Sequence, residues 1–222
     1  MRRLTASAIA FVLVLAIVGP ASAGHGAGRG YMPANAKVHG HTLSEIGGMW
    51  TEWGFNSPAD VNPLVANRCE QSPTDKKMWF LPVSLGGDYA VGCDVPDGAF
   101  IVLFAGGYEC SEAEGNGSTE AELTTCAAAG FDLLTLIQVS LDGKPAKHLD
   151  RYVVTTPLVE LPGPNLFGVD PTPSVTKGYF LILRPMKHGA HTLRAYDEFA
   201  SIPFTAGITY NITVGKPNRH HD

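Results

Sequence analysis

Ile208-Thr209-Tyr210-Asn211-Ile212-Thr213-Val214 places an apolar side chain at every second position and a polar one between. Successive side chains of an extended chain point to opposite faces of a sheet, so this run predicts a strand with one face in a core and one in water. Short apolar runs broken by turn residues recur upstream. They predict further strands at 78–83, 89–93, 99–105, 133–141, 151–155, 179–184 and 191–196. Asp142-Gly143 predicts a tight hairpin, because a two-residue turn needs two positions that tolerate positive φ. Many short strands and 25 glycines in 222 residues imply a mainly β protein. The expected architecture is a single β-sandwich or jelly-roll domain over residues 38–215.

One helix precedes the strands. Thr42-Leu43-Ser44-Glu45 has the T-x-x-E order of a capping box, in which the Thr hydroxyl accepts from the third amide and the Glu reaches back to the first. Leu43, Ile46, Trp50 and Trp53 then fall on one helical stripe. Gly47 and Gly48 lie within the run and point to close backbone packing or to a short, irregular helix.

The chain opens with Arg2 and Arg3, an apolar run from Ala8 to Val18 and the small-residue exit Ala21-Ser22-Ala23. That order predicts a signal peptide over 1–23 and a secreted, extracellular protein. Residues 24–37 read as a flexible leader, and 216–222 as a C-terminal tail. Losing Arg2 and Arg3 takes the formal net charge from -5 to -7. Mild acidity without clustered Lys and Arg excludes nucleic acid as the expected partner. No later segment is apolar enough to span a membrane. Cys69, Cys93, Cys110 and Cys126 all fall in the exported part, where pairing is the default. Sequential pairing, Cys69 with Cys93 and Cys110 with Cys126, is the expected one of three connectivities.

Trp50-x-x-Trp53, Asn62-Pro63, Trp79-Phe80-Leu81, Cys93-x-x-Pro96-x-Gly98, Glu109-Cys110, Asn165-x-Phe167-Gly168, His191-Thr192 and Thr209-Tyr210-Asn211 form a set. In that order they resemble an uncharacterised, widespread group of secreted bacterial proteins with a Trp-x-x-Trp helix before a Cys-containing β-sandwich. The resemblance covers roughly 38–215; it implies one domain and assigns no reaction.

Several groups could carry chemistry. His39-Gly40-His41-x3-Glu45 matches the core of a cupin metal motif, with His191 as a third imidazole, and would make the protein a metal-dependent enzyme holding a divalent ion. The same stretch also reads as two surface histidines before a helix cap, since the glycines that flank the cupin motif are absent. Cleavage after Gly24 would instead make His25 a terminal copper ligand. Glu109, Glu112, Glu114, Glu120 and Glu122 offer either a calcium site or a solvated acidic loop. Glu52, Glu109, Asp132 and Asp150 are acids from which a glycoside hydrolase pair could be drawn. No nucleophile elbow, zincin motif or phosphate-binding loop occurs. Trp50, Trp53, Trp79, Tyr31 and Tyr152 could form a stacking platform for sugars, although the helical stripe also reads as core. The sequence therefore favours a binding or surface-associated protein without catalysis or cofactor, directed at an extracellular glycan or cell-surface component. It leaves oligomeric state open.

Overall fold

The computed structural model describes residues 28–169, 171–200 and 204–215. The expected signal peptide, His25 and the tail at 216–222 lie outside the described residues. Helix α1 (Leu43–Phe55) starts where the capping box predicts: the Thr42 hydroxyl accepts from the Glu45 amide at 3.3 Å, and a Glu45 carboxylate oxygen accepts from the Thr42 amide at 2.7 Å. Strands β1 (Glu70–Gln71), β2 (Met78–Phe80), β3 (Gly87–Pro96) and β4 (Phe100–Ser111) follow, then a second helix α2 (Glu120–Phe131). After it come β5 (Leu134–Leu141), β6 (Lys144–Pro145), β7 (Val153–Thr155) and β8 (Val159–Leu161). The chain ends in three long strands, β9 (Thr172–Leu183), β10 (Gly189–Phe199) and β11 (Thr205–Gly215).

Two sheets form a sandwich-like arrangement. One has the order β1-β2-β4-β9-β7, with β8 also paired to β9; the other has the order β3-β11-β10-β5-β6. Pairing is antiparallel except for β2 with β4 and β3 with β11. The alternation read in the sequence is the inward face of β11: Ile208, Tyr210, Ile212 and Val214 are buried, and Leu193 of β10 stands opposite Tyr210. The β5–β6 hairpin turns on Asp142 and Gly143, at φ 51° and 72°.

The first sheet carries a helix on each face. Val175 of β9 packs in a small core with Leu123 and Ala127 of α2, whereas the hydroxyl of its neighbour Thr176 meets that of Thr51 in α1 at 3.0 Å. Neighbours along a strand project to opposite faces, so the two helices flank the sheet. Trp50 is fully buried on the α1 side, its ring against Phe104 and Phe180 and its indole N–H donating to the Leu81 carbonyl at 2.8 Å. Gly47 and Gly48 let α1 approach: a Cβ on Gly47 would lie 3.2 Å from Thr156 and 3.3 Å from Phe180. The cysteines pair Cys69–Cys93 and Cys110–Cys126. No helix among the described residues is long and apolar enough to cross a membrane.

Two expectations require correction. The acidic segment after Cys110 is not a loop, because Thr119-Glu120-Ala121-Glu122 forms a second capping box and starts α2. Residues 28–37 are not a free leader: Tyr31 is buried and bridges Leu183, and the Met32 amide donates to the Ile182 carbonyl at 2.8 Å.

Candidate functional site

The residues proposed from sequence do not gather into one site. Glu45 is occupied by its cap, which lowers its affinity for a proton through bonds from the Thr42 amide and hydroxyl. His39 pairs with Asp75 through Nδ1, at 2.5 Å. His191 pairs with Asp142 at 2.9 Å, a bond that raises the imidazole's affinity for its proton, and its other ring nitrogen meets the Lys187 carbonyl. His39 and His191 thus pair with different acids while His41 and Glu45 line one hollow, and among the described residues no group of three or more His, Cys, Asp or Glu converges as metal ligands do. Four of the five rings read as a stacking platform lie in the core. Trp50, Trp53, Tyr31 and Tyr152 are buried, with the Trp53 indole donating to Glu70 and the Tyr152 hydroxyl to the Met32 carbonyl. Trp79 is half-buried. Burial of the first four rings gives the core its large side chains.

A different site emerges where β4 leaves its neighbour. Strand β2 pairs with β4 only over Phe100–Val102, so beyond Val102 β4 has β9 on one side and, among the described residues, no strand on the other. A bulge between Phe104 and Gly106 re-aims the strand at that point. Here a cleft of about 370 Å³ opens between the end of α1, the loop after β2 and the β10–β11 turn. This volume suits a small organic ligand.

Five phenylalanines line the cleft: Phe55, Phe104, Phe167, Phe199 and Phe204. Each has a local cause. Phe55 ends α1 and lies parallel to Phe167, ring centroids 5.8 Å apart. Phe167 is held there by a side-chain turn: the buried Asn165 side-chain oxygen accepts from the Phe167 amide at 3.1 Å, while the Leu166 amide donates to the Phe55 carbonyl at 2.9 Å. The stretch Asn165-x-Phe167-Gly168 is therefore a device for presenting an aromatic wall. Phe199 and Phe204 meet edge to face at 5.7 Å across the β10–β11 turn. Glycines make the floor. A Cβ on Gly178 would fall 2.3 Å from the Phe104 ring, and one on Gly106 would fall 2.5 Å from the Asp197 carboxylate.

Three acids complete the lining: Glu109, Glu114 and Asp197. Asp197 shares the inward face of β10 with Leu193 and Ala195, is 4% exposed, and has one carboxylate oxygen without a hydrogen-bond partner among the described residues. Burial pushes its carboxyl up to about 7, against a backbone bond from Ala206. Glu109 stands opposite Thr176 in β9 and accepts from the Ser174 hydroxyl. Burial pushes Glu109 up to about 8, opposed by the Ser174 bond and reinforced by the neighbouring Glu114. Glu114 in turn accepts from Ser111 and Asn116. No Lys, Arg or His lines the cleft among the described residues.

Of the acids considered from sequence, Glu109 and Glu114 reach this cleft; Glu52 lines a separate hollow with His41, Glu45 and Glu160, Asp132 caps α2, and Glu122 serves its capping box. Asp197 escapes a sequence reading that stops the strand at Tyr196. The signal was the alternation itself, since Leu193, Ala195, Asp197 and Phe199 continue one face and an acid interrupts it. No protein-family model matches this chain, and no curated protein matches it.

Proposed function

We propose that this protein is exported from a bacterial cell and acts outside it as a binding protein without catalysis of its own, holding a small ligand in the phenylalanine-walled cleft. The basic start, apolar run and Ala21-Ser22-Ala23 exit support export, as do cysteines that are all paired. The observation that carries the binding reading is Asp197. A buried carboxyl whose oxygen has no partner among the described residues costs stability unless something compensates it, and its position on the wall of an open cleft supports a bound ligand as that compensation.

Thermal-shift and calorimetric titration of the secreted protein against sugars, organic acids, neutral aromatics and amines tests this. Leu85→Trp, which adds bulk at an exposed rim position, is the blocked control. One chemical class is expected to raise Tm of the native protein and to lose its effect in the blocked variant. Equal response of both proteins, or of neither, would remove the cleft as a binding site.

A second reading rests on Glu109 beside Glu114. A carboxyl that keeps its proton near neutrality next to another carboxylate is the arrangement used for general acid and base work in glycoside hydrolysis. Turnover of a glycoside that disappears in Glu109→Gln would replace binding with catalysis.

A further inference from the structure

The cleft combines two features. Its walls are aromatic, and each of the ionisable side chains lining it that could carry a full charge near neutral pH is an acid. Surface acids normally have water or a cation beside them. Here Asp197 is shut away from water, sits over Gly106 so closely that a methyl group there would collide with it, and has an oxygen without a hydrogen-bond partner among the described residues. Ser174 satisfies one oxygen of Glu109. Lys177, on the strand beside the cleft's Tyr108, lies 5.1 Å above the Phe131 ring, and Arg194 of β10 is bound to Asp88 and Thr209. The missing partner for Asp197 is a positive charge or a donor brought from outside.

Aromatic rings discriminate among such partners. The face of a ring carries negative potential, so rings around an acid attract an organic cation and repel an anion. We infer that the cleft binds a small organic cation, a protonated or quaternary amine on an apolar body, with the nitrogen against Asp197 and Glu109 and the body between Phe55, Phe167, Phe199 and Phe204. This assignment rests on the cleft being the binding site and adds the ligand's chemistry to it. The floor glycines fit the same role, because they leave Asp197 and Phe104 seated low enough for the cavity to stay open above them.

Three probes with one body and different ends test the charge: 2-phenylethylammonium, 2-phenylethanol and phenylacetate, titrated calorimetrically into the secreted protein near neutral pH, with a neutral oligosaccharide as a fourth. The amine should bind at least about tenfold more tightly than the alcohol, and phenylacetate should not bind. Asp197→Asn and Glu109→Gln keep shape and remove the negative charge that each carboxyl takes on when it gives up its proton beside the bound ammonium; each should weaken the amine by about tenfold or more and leave the alcohol within about twofold. Circular dichroism of both variants confirms that they fold. Equal binding of amine and alcohol, indifferent to these substitutions, would overturn the cation while leaving the cleft as a binding site. Preference for the oligosaccharide or for phenylacetate would overturn it as well. Failure of every probe to bind would take down both the cation and the cleft.

Discussion

Asp197 occupies a position where the strand's own alternation calls for an apolar side chain, and the free-energy consequence has a sign. An ordinary Asp carboxyl titrates at 3.8 and an ordinary Glu at 4.5, whereas burial raises Asp197 to about 7 and Glu109 to about 8. Between those limits the folded protein holds protons that the unfolded chain has lost, so stability falls as pH rises through the window and levels off above it. For Asp197 the loss is on the order of 2 to 4 kcal/mol between about pH 5 and about pH 9. Asp197→Asn should therefore be more stable than the native protein at the upper end and should flatten the dependence; urea midpoints across that range measure it. An unchanged slope would mean that Asp197 ionises freely and is not sequestered. Gly106→Ala should act in the opposite sense. Its methyl group would meet the carboxylate at 2.5 Å, so it should lower the midpoint at every pH and weaken any cleft ligand.

At the scale of elements, α1 was legible because two signals coincide in it, the cap at Thr42 and the stripe ending in Trp53. The same four-residue cap at Thr119 was equally visible, but α2 has a weak apolar stripe with three buried positions, Leu123, Ala127 and Gly130, and its acids read as solvated. Its fixing points lie elsewhere in the chain: the bond from Cys126 to Cys110, and the ring of Tyr108, which occupies the space that a Cβ on Gly130 would need. Such a helix depends on its cap. Thr119→Ala should cost about 1 kcal/mol, read as faster amide exchange in the first turn of α2. Trp50 makes the contrasting case. With its ring buried against Phe104 and Phe180 and its N–H bonded to Leu81, Trp50→Ala should cost about 3 to 5 kcal/mol in global unfolding. A cost below about 1 kcal/mol would mean that the ring is not part of the core.

For the whole molecule, alternation disclosed that sheets form but not which strands meet. β3 pairs in parallel with β11 across more than half the chain, and the cleft draws on α1, the loop after β2, β4, the Asn165 turn and the β10–β11 turn. No local pattern encodes such a meeting. The disulfides show what that topology does to two otherwise similar bonds. Cys69 stands just before β1 of the first sheet and Cys93 within β3 of the second, 24 residues apart, so this bond ties the sheets together. Cys110 and Cys126, 16 residues apart, join β4 to the helix lying on it. Loop-closure entropy varies only with the logarithm of length and assigns about 3 to 4 kcal/mol to each. The fold separates them. Replacing Cys69 and Cys93 by Ala should lower the global unfolding midpoint, with exchange rising in both sheets together. Replacing Cys110 and Cys126 by Ala should release α2 first, so that its amides exchange faster than those of β10 and β11 and unfolding ceases to be a single transition. Hydrogen exchange followed by mass spectrometry distinguishes the two, and uniform acceleration in both variants would show that α2 and the sandwich unfold as one unit.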